Sequence, residues 1–189
     1  MRLKSSKKDR LSKKEKKMLG QIHVYTGNGK GKTTAAMGLA VRALGHGLNV
    51  KIIQFFKNST GEKNILADFC CYSQFSYAHP RFSKNYEQNV KSQQFSFKDF
   101  WNTEIKDIEK QNYDLIVLDE LGSLLYDKIA DESEIIKFIK NKPENAELIL
   151  TGRNIPKSIV DLSSYCTEMQ EIKHPWKDLN LGARKGIEY

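Results

Sequence analysis

The run Gly27-Asn28-Gly29-Lys30-Gly31-Lys32-Thr33-Thr34 brings three glycines, two lysines and two hydroxyls into eight residues. A loop of this kind can wrap a polyphosphate, because glycine leaves the backbone N–H groups free to approach an anion. Lys32 adds a full positive charge, and the Thr33 hydroxyl stands where such loops bind Mg2+. All eight residues are candidate nucleotide-binding positions. The common spacing G-x-x-x-x-G-K-[ST], anchored on Gly31-Lys32-Thr33, calls for glycine at 26, where the chain has Thr26; Gly27 comes one place late. A second signal is Asp119-Glu120, which closes an apolar run and has the residue types that hold or orient magnesium opposite a phosphate loop. The candidate metal set is Thr33, Asp119 and Glu120, for Mg2+ with Mn2+ as the alternative ion. The candidate catalytic set is Lys32, Thr33 and Glu120. No serine-nucleophile motif, paired histidine ligands or redox cysteine pair accompanies them. A reaction whose nucleophile arrives already activated, and whose leaving group is polyphosphate, needs mainly orientation and charge stabilisation.

Positioning such a loop requires a strand before it and a helix after it. Residues 21–26 (QIHVYT) read as that strand, and residues 32–44 carry Ala35, Ala36, Leu39, Ala40 and Ala43 at helical spacing, with Gly45 as a stop. Residues 49–56 (NVKIIQFF) read as a buried strand and 58–62 as a loop. The pattern weakens over 66–94, apart from a strand at 70–75. A helix is expected over 97–110, a strand over 113–118, a helix over 133–140 stopped near Pro143, and a strand over 147–150. A short helix at 155–162 and a last strand at 166–172 complete the reading. Strands alternating with helices predict an α/β domain of P-loop NTPase type, with a mainly parallel central sheet covered on both faces. Ligands of such sheets bind at the carboxyl ends of the strands, where both chemical signals fall.

Length and charge set the outer bounds. The 189 residues suit one domain with an arm, 1–19 being the arm and 20–189 the domain. Residues 1–17 hold nine Lys/Arg against Asp9 and Glu15, so the arm carries +7 of the net +8. It reads as a solvated tail, a flap over an anionic ligand or a polyanion contact. No RNA- or DNA-reading motif backs it, which argues against a nucleic-acid partner. No apolar run is long enough to cross a bilayer, so no membrane association is expected. The three cysteines, Cys70, Cys71 and Cys166, have neither disulfide-framework nor zinc spacing, and a reducing cytoplasm is the expected compartment.

The segments VYTGNGKGKTTAAMGLAVRALGHG (24–47), VKIIQFFK (50–57), YDLIVLDE (113–120), LTGRNIP (150–156), TEM (167–169) and KHPW…GARKGIEY (173–189) occur in this order. Together they resemble the ATP:corrinoid adenosyltransferases of the cobalamin-pathway type. That resemblance implies transfer of the 5′-deoxyadenosyl group of ATP to the Co(I) of a reduced corrinoid, with release of triphosphate. It implies that residues 27–34 bind the triphosphate and that Thr33, Asp119 and Glu120 position magnesium. Arg42 is similar to a family arginine near the nucleotide, and Gln54 and Lys57 match positions at the active-site edge. Phe75-Ser76-Tyr77 resembles the family's Phe-x-Trp element, which lies beside the lower face of the corrin; here tyrosine replaces tryptophan. His174, in the matching tail, is expected in a structural or lid role rather than as a cobalt ligand. The resemblance also implies a homodimer, a reductant protein or flavin system that supplies Co(I), and an arm able to fold across the corrinoid. Read without it, the same loop and carboxylates fit a phosphotransferase or ATPase, and the basic arm a nucleotide-dependent nucleic-acid-binding module.

Overall fold

The computed structural model describes residues 11–58 and 60–188. In chain order the elements are α1 (Lys13–Lys16), β1 (Ile22–Thr26), α2 (Lys32–Gly45), β2 (Val50–Phe55), α3 (Lys63–Leu66) and β3 (Cys71–Phe75). After a 3-10 turn at Pro80–Phe82 come α4 (Tyr86–Lys110), β4 (Leu115–Asp119), α5 (Leu121–Tyr126) and α6 (Glu132–Asn141). The remainder is β5 (Glu147–Thr151), α7 (Lys157–Val160), β6 (Tyr165–Glu168) and α8 (Pro175–Leu179). The six strands form one sheet in the order β3-β2-β4-β5-β1-β6, and every pairing is parallel.

Side-chain alternation along the strands divides the core into two layers, one on each face. Ile53, Phe55, Ile116, Leu118, Leu148 and Leu150 point to the face covered by Phe97, Trp101 and Ile108 of α4 and Ile135, Phe138 and Ile139 of α6. Their neighbours Val50, Ile52, Leu115, Val117 and Ile149 point to the other face, against Ala36, Met37, Ala40 and Ala43 of α2. All six residues of β2 are buried, as a central parallel strand requires. Its Lys51 is tolerated there because Nζ lies 2.6 Å from Glu104 and 2.8 Å from Asp107. The expected P-loop α/β class is thus the observed one.

Element ends differ from expectation where periodicity is weakest. The helix expected over 97–110 begins eleven residues earlier, at Tyr86, because its first turns are mostly polar and solvent-facing, so the apolar stripe starts late. Helix α5 was not expected: Leu121, Gly122, Ser123, Leu124 and Leu125 are all buried, leaving no polar face to mark a helical period. The last strand begins at Tyr165 and ends at Glu168, not 172. The short helices α1, α3 and α8 are too brief to show a period.

The start of the described chain anchors to the edge of the sheet opposite the phosphate loop. Ser12 and Glu15 form a reciprocal capping box on α1. Lys16 Nζ pairs with Asp114, just before β4, at 2.7 Å, and Leu11 and Leu19 pack on the α2-side core. Residues 1–10 of the arm lie outside the described residues.

Candidate functional site

Parallel pairing brings the carboxyl ends of all six strands to one edge, so β1, β2, β4 and β5 deliver their following residues to a common place. From β1 the chain enters the glycine loop. Thr26 is the last strand residue and Gly27 turns away with φ 95°, which accounts for a glycine one place later than the common spacing. The loop lies against the backbone after β6. Gly29 donates its N–H to the Met169 carbonyl at 2.6 Å, and a Cβ on Gly29 would come within 2.7 Å of that same oxygen. This glycine therefore serves close approach of two backbones, and its amide points to Met169 rather than into the loop. Helix α2 starts at Lys32, with Gly31 as its N-cap at a φ of 117° that favours glycine and with no side chain capping it; its first-turn amides and its dipole face the loop.

Two cations cover three successive loop carbonyls. Lys32 Nζ donates to Gly27 O and Gly29 O, each at 2.8 Å, and Arg153 Nη2 donates to Asn28 O at 3.4 Å. Burial, then the nearby Arg153 and Lys57 charges, pull the Lys32 ammonium below its ordinary pKa, against the opposite pull of Glu120 and Asp119. Lys30 reaches outward to Glu188 at 2.8 Å, and Glu188 also takes Arg184 at 3.0 Å, so an ion pair ties residues 184–188 to the phosphate loop.

Opposite Lys32 stands Asp119, whose side chain is fully buried. Its Oδ1 accepts from the Thr33 hydroxyl at 2.9 Å and the Thr151 hydroxyl at 2.6 Å, and its Oδ2 accepts from Gln54 Nε2 at 3.0 Å. Lys57 Nζ lies 3.7 Å from Asp119 Oδ2 and donates to Thr33 Oγ1 at 3.2 Å, so an ammonium bridges the hydroxyl and the carboxylate. Glu120 is held differently. Its φ of 67° is uncommon for a residue with a side chain, its N–H donates to Thr151 Oγ1 at 3.0 Å, and its Oε1 accepts from Ser123 at 2.6 Å. The expected set Lys32, Thr33, Asp119 and Glu120 is thus gathered at one edge.

The aromatic pair comes from the far edge strand, four strand spacings or about 19 Å from β1. Phe75 ends β3 and is buried against Phe97 and Phe100; Tyr77 is 38% exposed and packs on it, tilted by 33°, at 4.4 Å between ring centroids. Phe75 is therefore core, and Tyr77 alone offers a ring face to solvent. Ser76 Oγ donates to Lys57 O at 3.4 Å, which ties this shelf to the lysine that reaches Thr33.

Arg42 is not brought in. It is exposed in the last turn of α2, ten residues from Lys32 and so about 15 Å along the helix axis. His174 caps α8 by accepting the Trp176 N–H at 3.2 Å, which uses its Nδ1. Asn28 is exposed on the loop and Thr34 in the first turn of α2. Sequence reasoning missed Thr151, Ser123 and Arg153. The signal for two of them was the TGR triplet after a strand, whose meaning depends on β5 lying between β4 and β1. Among the described residues no group of three or more His, Cys, Asp or Glu could hold a metal on protein ligands alone, and all three cysteines are free.

Residues 18–189 match the family model of ATP:corrinoid adenosyltransferase BtuR/CobO/CobP. The Salmonella typhimurium corrinoid adenosyltransferase CobA is 36% identical over 173 residues, covering 90% of this chain and 86% of that protein. The Escherichia coli K12 corrinoid adenosyltransferase is 34% identical with the same coverage. A third, from Pseudomonas aeruginosa, is 30% identical over 90% of this chain and 84% of its own. With a match across nearly the whole chain and a phosphate loop, carboxylate and aromatic shelf on one sheet edge, the chain belongs to the ATP:corrinoid adenosyltransferase family.

Proposed function

We propose that this protein transfers the 5′-deoxyadenosyl group of ATP to the Co(I) centre of a reduced corrinoid and releases triphosphate. The C5′–O5′ bond breaks, its electron pair leaves with the triphosphate, and the electron pair of Co(I) forms the cobalt–carbon bond. The observation that carries the reading is a cation-rich phosphate loop joined through Lys57 to an aromatic shelf at the same sheet edge. Such an edge suits a nucleotide on one side and a flat macrocycle on the other.

The placement of each residue supports a part for it in this reaction. The loop amides other than that of Gly29, with the start of α2, bind the triphosphate, and Lys32, leaving its two carbonyls for phosphate oxygens, takes up charge as the leaving group departs. Mg2+ fits the hard-oxygen pair of Thr33 Oγ1 and Asp119, because Lys57 already holds a positive charge between them and Mg2+ needs only one or two protein oxygens besides phosphate and water. Glu120, braced by Ser123 and the Thr151 hydroxyl, would orient the ion's waters. Bound there, the ion would neutralise phosphate charge. Tyr77 presents a ring to the corrin, and its hydroxyl makes this face more polar than tryptophan would. A homodimer, a reductant protein or flavin system as the source of Co(I), a cytoplasmic setting, and an arm that folds across the corrinoid complete the proposal.

The products separate this reading from a phosphotransferase. ATP labelled with 13C at C5′ should leave its label on cobalt, with intact triphosphate as the phosphorus product by 31P NMR. ADP as the phosphorus product, with the label still in nucleotide, would defeat it.

A further inference from the structure

Around the phosphate loop the described cations fall into two groups. Lys30 is paired with Glu188, and Lys57 lies beside Asp119. Lys32 and Arg153 have hydrogen bonds to loop carbonyls only and, among the described residues, no carboxylate within ion-pair distance. They share one line of oxygens, Lys32 on residues 27 and 29 and Arg153 on residue 28 between them. A carbonyl dipole is a weak partner for a full charge, and a phosphate oxygen is a much stronger one.

We propose that Arg153 is a second triphosphate-binding cation, which moves from the Asn28 carbonyl to the phosphates together with Lys32. The inference rests on the adenosyl-transfer reading and deepens it. Strand order supports it: β5 lies between β4, which delivers Asp119, and β1, which delivers the loop, so the residue after Gly152 projects between carboxylate and cradle. The backbone there is fixed. Gly152 takes φ 145°, and Gly122 packs so closely on the Arg153 carbonyl that a Cβ would collide with it. The side chain, by contrast, is exposed and held by one long hydrogen bond, so moving it costs little. Closeness to Lys32 is marked by the Arg153 charge pulling that ammonium's pKa down, and an anion between the two removes this repulsion. Breaking C5′–O5′ turns a bridging oxygen into a charged terminal one, so a guanidinium on the triphosphate acts on kcat as well as on affinity.

The test uses inorganic tripolyphosphate as the probe, titrated into the full chain by calorimetry without corrinoid, beside kcat and KM for ATP. Arg153→Ala should weaken tripolyphosphate binding roughly 10- to 100-fold and lower kcat, with an unchanged melting temperature. Arg153→Lys should recover part of the affinity, as a point charge without the planar fork. If wild-type protein binds tripolyphosphate and Arg153→Ala binds it equally well, the inference is overturned while the cradle stands. If wild-type protein binds none, the cradle reading falls and takes the inference with it.

Discussion

In the proposed reaction Lys32 is the residue on which most of the chemistry converges, and its environment sets a pH dependence. Burial, then the Arg153 and Lys57 charges, lower its pKa from the ordinary 10.5 in the ligand-free protein. Triphosphate favours the charged form, so binding should raise that pKa again. Affinity is therefore full below the lowered pKa and lost as pH rises through it, at a lower pH than an exposed lysine would show. Calorimetry across alkaline pH should record weakening affinity, with proton uptake on binding that disappears in Lys32→Ala; affinity independent of pH up to 10.5 would contradict this. Lys32, Thr33 and the Asp119-Glu120 pair could be read from the sequence because their chemistry is local: glycine density, one lysine, an acidic strand end. Thr151 and Arg153 could not, since they become partners of that pair and of the loop only once the strands are ordered. Arg42 shows the converse, a family position that lies about 15 Å along α2 from Lys32 within one chain.

At the level of elements, β1, α2, β2, β4 and β5 were readable within a residue or two because their apolar patterns are strong. Their order in the sheet was not, because nothing local to β5 records that it pairs with β1 and β4. Helix α5 is the clearest loss, and it matters for the site. Its Gly122 lets the helix seat against the end of β5, with the Arg153 carbonyl where a Cβ would stand. Gly122→Ala should thus push α5 from β5 and cost about 1–3 kcal/mol, seen as a lower urea midpoint at unchanged slope. Because Ser123 braces Glu120 and Arg153 sits across the contact, ATP KM should rise in the same variant. An unshifted midpoint would show that α5 is not tightly seated.

Over the whole molecule, charge and fold are separable. The arm holds +7 of the +8, yet residues 11–19 are built into the domain through the capping box, the Lys16–Asp114 pair and Leu11 and Leu19. A deletion that tests a flap should remove residues 1–10 and stop there. It should leave the melting temperature and the KM for ATP unchanged while raising the KM for corrinoid several-fold, and an unchanged corrinoid KM would rule the flap out. The composition placed the positive charge but not its anchoring, because α1 is a single turn stabilised by contacts with distant residues. For the molecule as a whole the central claim is that triphosphate is held as a leaving group while cobalt attacks carbon. The direct measurement is anaerobic incubation of the protein with Co(I) cobalamin, ATP and Mg2+, following cobalt–carbon bond formation by absorbance and quantifying triphosphate. The account predicts one triphosphate per adenosylated corrinoid, with the rate falling on the order of 100-fold or more in Lys32→Ala. ATP turnover to ADP without a cobalt–carbon bond, or an unimpaired Lys32→Ala, would contradict it.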